Sequence, residues 1–97
     1  MIVRIVKMGI CPEHIDTFVK QFMTNKADIR NFKGCDFLEL YKDINDPTLY
    51  FTYSFWKSES ALEHYRKSEL FKTIWAKTKP LFNKKPEAWS LNRIETI

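Results

Sequence analysis

The segment from Leu49 to Trp75, LYFTYSFWKSESALEHYRKSELFKTIW, constrains the chain more than any other part of it. Leu49 to Trp56 is rich in Tyr, Phe and Thr, residues that suit a pleated strand. Ser58 or Ser60 can cap the helix that follows, and Ser60 with Glu63 fits a capping box. That helix is predicted to be short, about 59–66, with Ala61, Leu62 and Tyr65 on its apolar face. Ser68 restarts a second short helix carrying Leu70, Phe71, Ile74 and Trp75 on one face, and Pro80 closes it. Eight of the chain's fifteen aromatic residues fall in this stretch. Phe51, Tyr53 and Phe55 share one strand face by the period of two, and aromatics recur on the other, so both faces need cover.

The remaining elements arrange themselves around that segment. Ile2 to Met8 reads as a strand, and Gly9 to Cys11 as a turn. Pro12 suits the first helical position, and Ile15, Phe18, Val19, Phe22, Met23 and Ile29 recur at helical spacing, predicting a helix over about 12–31 that Lys33-Gly34 ends. Cys35 to Lys42 is a second strand, Asp43 to Pro47 a hairpin loop, and Glu87 to Ile94 a final strand. The order is βαββαβ with a broken second helix, the ferredoxin-like α+β arrangement, in one domain spanning residues 1–97. Helices cover one sheet face. A second copy of the chain is expected to cover the other, giving a homodimer, since a chain this short buries only roughly two-thirds of its unfolded surface.

Charge and cysteine content narrow the functional classes. Residues 1–48 balance seven basic against seven acidic residues, while 49–97 carry nine against five. Arg66 to Lys85 holds seven basic residues against Glu69, a patch able to attract anions. No recognisable nucleic-acid motif accompanies it, so it reads as a solvated helix face and a Lys-rich loop, and nucleic acid is not an expected partner. No apolar run approaches the roughly 20 residues of a membrane span, and the alternating start MIVRIVKMGI is unlike a secretory signal, so no membrane association and a cytoplasmic location are expected. Cys11 and Cys35 flank a helix about 27 Å long by its rise per residue. That is far beyond the ~7 Å limit for a disulfide. Isolated Cys and His residues show no metal-ligand spacing, and two glycines cannot build a phosphate loop.

A strand ending in Trp56, then Lys-Ser-Glu, Ala61-Leu62, Ser68 and Phe71, together with Lys33-Gly34 after the first helix, resembles the antibiotic biosynthesis monooxygenase superfamily over nearly the whole chain. The resemblance implies a dimeric α+β barrel. It includes cofactor-independent monooxygenases of phenols and quinols, haem-degrading enzymes and autoinducer-processing isomerases. In the register of the haem-degrading branch, Tyr65 stands at the Trp position, Trp75 at the His ligand position and Lys7 at the Asn position of the first strand. An indole cannot coordinate iron, so haem degradation is disfavoured and no cofactor is expected. Many general members carry a His at the Tyr65 position; here His64 lies one residue away.

The cofactor-independent members, by resemblance, let a deprotonated aromatic substrate reduce oxygen directly. The protein then supplies a dry aromatic cavity and partners for the anion. Tyr65 and Trp75, with His64 beside them, are the candidate catalytic residues. Tyr53, Phe51 and Phe55 are candidates for binding a small aromatic ligand, with Lys7 or Arg93 stabilising its charge. The expected cavity lies between sheet and helix pair, lined by Tyr53, Tyr65 and Trp75. The expected activity is monooxygenation of an aromatic, phenolic or quinol compound. The alternative is a non-catalytic dimer of the same fold that binds a small ligand, or a module binding anions or nucleic acid through the Lys-rich segment.

Overall fold

A computed structural model describes residues 1–97. Strand β1 (Ile2–Gly9) leads through a 3-10 turn (Pro12–His14) into helix α1 (Ile15–Arg30). Strands β2 (Cys35–Lys42) and β3 (Leu49–Trp56) form a hairpin, followed by helices α2 (Glu59–Arg66) and α3 (Glu69–Thr78), a second 3-10 turn (Lys79–Leu81) and strand β4 (Glu87–Asn92). The sheet order is β2-β3-β1-β4, with every neighbouring pair antiparallel. This is the ferredoxin-like α+β fold, with the second helix broken in two. The last strand ends at Asn92, two residues short of the expected Ile94, so Arg93 lies beyond the ladder.

The break between α2 and α3 has a local cause. The Ser68 hydroxyl accepts from the Phe71 amide at 3.1 Å and donates to the Tyr65 carbonyl at 2.6 Å. One side chain thus caps the start of α3 and satisfies a carbonyl at the end of α2. At the other end of α2 the cap is Ser58, whose hydroxyl accepts from Ala61 N at 3.1 Å. Ser60 is already inside the helix, so the Ser60–Glu63 capping box does not form. Gly34 adopts φ 94°, and a Cβ there would stand 2.6 Å from Ala61 Cβ. Only glycine lets β2 begin this close beneath α2.

Strand register settles which side chains face the helices. Ile2 pairs with Trp56, Arg4 with Ser54, Val6 with Thr52 and Met8 with Tyr50. These pairs, with Leu38 and Leu40 of β2, point toward the helices. A bulge at Asp36 places Cys35 opposite Trp56 and Phe37 opposite Phe55, so Cys35 turns inward although strict alternation would put it on the Phe37 side. Val3, Ile5, Phe37, Tyr41, Phe51, Tyr53, Phe55, Trp89 and Leu91 occupy the opposite, uncovered face.

Two apolar clusters anchor the helices near the two ends of the sheet. One holds Ile2, Ile29, Cys35, Trp56, Leu62 and Tyr65. The other holds Met8, Ile10, Phe18, Tyr50 and Leu81. Trp56 is 1% exposed, and its indole N–H donates to Ser54 Oγ at 3.0 Å, which removes the cost of burying that donor. Between the clusters the inward residues are small or polar: Arg4, Val6, Thr52 and Ser54. Large residues at the ends and small ones at the centre hold the helices off the middle of the sheet.

Candidate functional site

The space left at the centre is a cavity of about 300 Å³ between the sheet and the three helices. Arg4, Val6, Thr52 and Ser54 form its floor, Phe18 and Phe22 of α1 one wall, and Tyr65, Phe71, Ile74 and Trp75 of α2 and α3 another. An aromatic series runs along that second wall. Trp56 stacks on Tyr65 at 4.8 Å, Tyr65 meets Phe71 edge-on at 5.2 Å, Phe71 stacks on Trp75 at 5.6 Å, and Trp75 meets Phe82 edge-on at 5.6 Å. Such offset and edge-on contacts stiffen a wall that would otherwise be free to rotate. The volume is at the lower end of the roughly 300–1,000 Å³ range of small-molecule sites. It suits one or two fused rings.

Among the candidates read from the sequence, the cavity brings Tyr65 and Trp75 together on one wall. It does not include Tyr53, Phe51 or Phe55. Those three lie on the opposite face of the sheet, because alternation along β3 gives the inward face to Tyr50, Thr52, Ser54 and Trp56. They pack on their own side instead: Tyr53 meets Phe55 edge-on at 5.2 Å, and Phe37 stacks on Phe55 at 4.5 Å. Lys7 and Arg93 are also away from the cavity. Lys7 Nζ lies 3.8 Å from Glu87 Oε1, and the Arg93 guanidinium sits over the Phe55 ring at 5.1 Å. His64 is exposed, with its ring 5.6 Å from that of Phe32. No cluster of three His, Cys, Asp or Glu side chains able to hold a metal ion occurs.

Arg4 is the cation that sequence reasoning passed over. Its signal was the period of two in β1: Ile2, Arg4, Val6 and Met8 alternate onto one face, and a charge among three apolar residues marks an inward cation. Its guanidinium donates to Ser90 Oγ at 2.9 Å and has no carboxylate partner. Burial, and secondarily the nearby Arg66 guanidinium, lowers its pKa from the ordinary arginine value, with Glu63 acting in the opposite sense. Arginine nonetheless keeps its charge.

Tyr65 is 9% exposed, and its hydroxyl makes no hydrogen bond to the protein. Burial pushes its phenol well above the ordinary tyrosine value, with a smaller contribution from Cys35. It is therefore a neutral donor and no base at physiological pH. Burial likewise raises the Cys35 thiol. The two cysteines carry free thiols. The lining contains no His or Cys, and Trp75, in the ligand register, has no lone pair to donate.

The chain belongs to the antibiotic biosynthesis monooxygenase family, whose family model matches residues 1–77. A solved structure described as an antibiotic biosynthesis monooxygenase superposes with a TM-score of 0.91 at 19% identity, covering 98% of this chain and 100% of the other. A conserved protein from Methanosarcina mazei Go1 superposes at 0.89 with 21% identity, over 96% of this chain and 93% of its own. Rv0793 from Mycobacterium tuberculosis does so at 0.89 with 17% identity, over 98% and 96%. At these identities the likenesses establish the fold alone. A comparison with curated proteins found no match.

Proposed function

We propose that the protein is a monooxygenase that oxidises a small phenolic or quinol compound with O2 in the cavity between sheet and helices, without a bound cofactor. The observation that carries this reading is the cavity itself: about 300 Å³, walled by stacked aromatic rings and supplied with a neutral Tyr65 hydroxyl and the Arg4 guanidinium. A flat ring slides between the Phe71–Trp75 wall and the sheet. Arg4 stabilises the phenolate and so favours loss of its proton. Tyr65 donates a hydrogen bond to a ligand oxygen.

The electron-rich phenolate then supplies the electrons that O2 needs. For a naphthol the balance is one naphthol plus one O2 giving one naphthoquinone plus one water. A C–O bond forms at the ring carbon para to the hydroxyl, the O–O bond breaks, and two hydrogens leave in water. The protein contributes orientation, charge stabilisation and exclusion of bulk water.

The active unit in this proposal is a homodimer formed through the uncovered sheet face. That face carries Phe51, Tyr53 and Phe55 with Trp89 and Leu91 beyond them, an apolar surface larger than isolated exposed residues explain. Strand β4 is exposed along its whole length in one protomer, as an element awaiting a partner would be.

Oxygen uptake with 1-naphthol tests the reading. Uptake proportional to protein concentration, and absent from heat-denatured protein, is expected. Binding of 1-naphthol with no uptake would overturn the enzyme reading in favour of a non-catalytic ligand-binding dimer. The absence of a free carboxylate or imidazole base from the cavity walls is the feature that keeps this alternative open to test.

A further inference from the structure

We propose that the cavity selects an aromatic acid, a flat ring system bearing a carboxylate received by Arg4 and Arg66. The inference rests on the cavity being an aromatic-ligand site and adds the charge of its ligand. The cavity has two unlike ends. One is lined by Met8, Phe18 and Phe22. The other, at Leu62 and Arg66, adjoins a shallow surface groove that Glu63 and Ser90 also line. Arg4 lies at this second end, held by Ser90 and close enough to Arg66 to feel its charge.

The nearby carboxylates are already engaged or lie outside. Glu63 is shared between Arg66 at 3.4 Å and Lys67 at 3.8 Å. Glu87 faces Lys7. Glu59 lies in the outer groove, does not line the cavity, and offsets only part of the positive field. Arg4 is left as a half-buried guanidinium without an anionic partner, bordering an apolar space. Glu63 offsets the exposed Arg66, whereas the Arg4 guanidinium, bonded to the protein through Ser90, borders the apolar cavity with donors left for a further anion. The guanidinium fork matches a planar carboxylate through two parallel N–H donors. A ring in the apolar end and a carboxylate at the arginine end satisfy both halves of the site at once.

Calorimetric titration with 2-naphthoate and with its methyl ester isolates the charge, since the ester keeps ring and shape. The acid is expected to bind roughly 10- to 100-fold more tightly, the worth of a charge-assisted hydrogen bond. Arg4→Gln should erase most of that preference, bringing the affinities for acid and ester together. Arg66→Gln, at an exposed position that the fold does not need, should reduce it, and Arg4→Lys should retain part of it. Lys72→Gln, a cation on the outer surface, should leave it intact. Equal affinity for acid and ester would overturn the proposal and leave the aromatic cavity standing. Binding of neither probe would overturn both. A preference that survives Arg4→Gln and Arg66→Gln together would also sink it.

Discussion

Tyr65 and Arg4 are two polar groups among the largely apolar walls of the cavity, and Tyr65 carries two distinct predictions. Because the Tyr65 hydroxyl makes no hydrogen bond to the protein, Tyr65→Phe should change stability by less than about 0.5 kcal/mol. Turnover of a phenolic substrate should fall, and equal turnover would remove Tyr65 from the mechanism. The same residue fixes an alkaline signature. Its folded pKa is raised, so the stabilisation is present below the unfolded value of about 10 and is lost as pH rises beyond it. The unfolded chain loses the proton first, so stability falls with pH in that window. Thermal unfolding between pH 10 and 11, values taken from that unfolded pKa, should therefore decline more steeply in the wild type than in Tyr65→Phe. Trp56→Ala should cost about 3–5 kcal/mol, since the indole is fully buried. Trp75 is only half-buried, so Trp75→Ala should cost less while enlarging the site and weakening ligand binding. Residue by residue, the inward position of Tyr65 and Trp75 was legible from helical spacing. That of Tyr53, Phe51 and Phe55 was not, because a strand pattern says which residues share a face and leaves open which face meets the helices. Here the more aromatic face turns away from them.

The broken helix is the element on which the cavity depends. Ser68 joins the two halves through its bonds to Phe71 N and Tyr65 O. Ser68→Ala should destabilise by about 1–2 kcal/mol through the lost cap. Ser60→Ala should be nearly neutral, because Ser58 is the cap of α2. Chemical denaturation of the two variants checks the pair, and a Ser60→Ala cost equal to that of Ser68→Ala would contradict the assignment. The order and approximate limits of the elements were readable from periodicity, Pro12, Gly34 and Pro80. The choice of Ser58 over Ser60 was not, since it depends on β3 ending at Trp56 and leaving only Lys57 to turn the chain. The inward turn of Cys35 also escaped the pattern, because the bulge at Asp36 has no signature in residue type.

At the scale of the whole molecule, the sheet separates two surfaces of different character. The helix side encloses the cavity, and the other side presents stacked aromatics with Trp89 42% and Leu91 46% exposed. Sedimentation should find a species of about twice the 11.7 kDa chain mass, and Phe55→Asp should reduce it to the single chain. A stable monomer in the wild type would refute that architecture. The ferredoxin-like order was legible from the chain because each element carries its own period and punctuation. A cavity between the sheet and the helix pair was expected, but its floor was not, because it needs the β1–β3 register that brings Arg4 beside Ser54 and Val6 beside Thr52. The most direct test of the account is a reaction of 1-naphthol with the protein under ¹⁸O-labelled oxygen, with the quinone product analysed by mass spectrometry before exchange with water. One labelled oxygen atom per quinone, formed by the wild type and diminished in Tyr65→Phe, is the expected result. Quinone formed at the rate of denatured protein, or carrying no label, would contradict it.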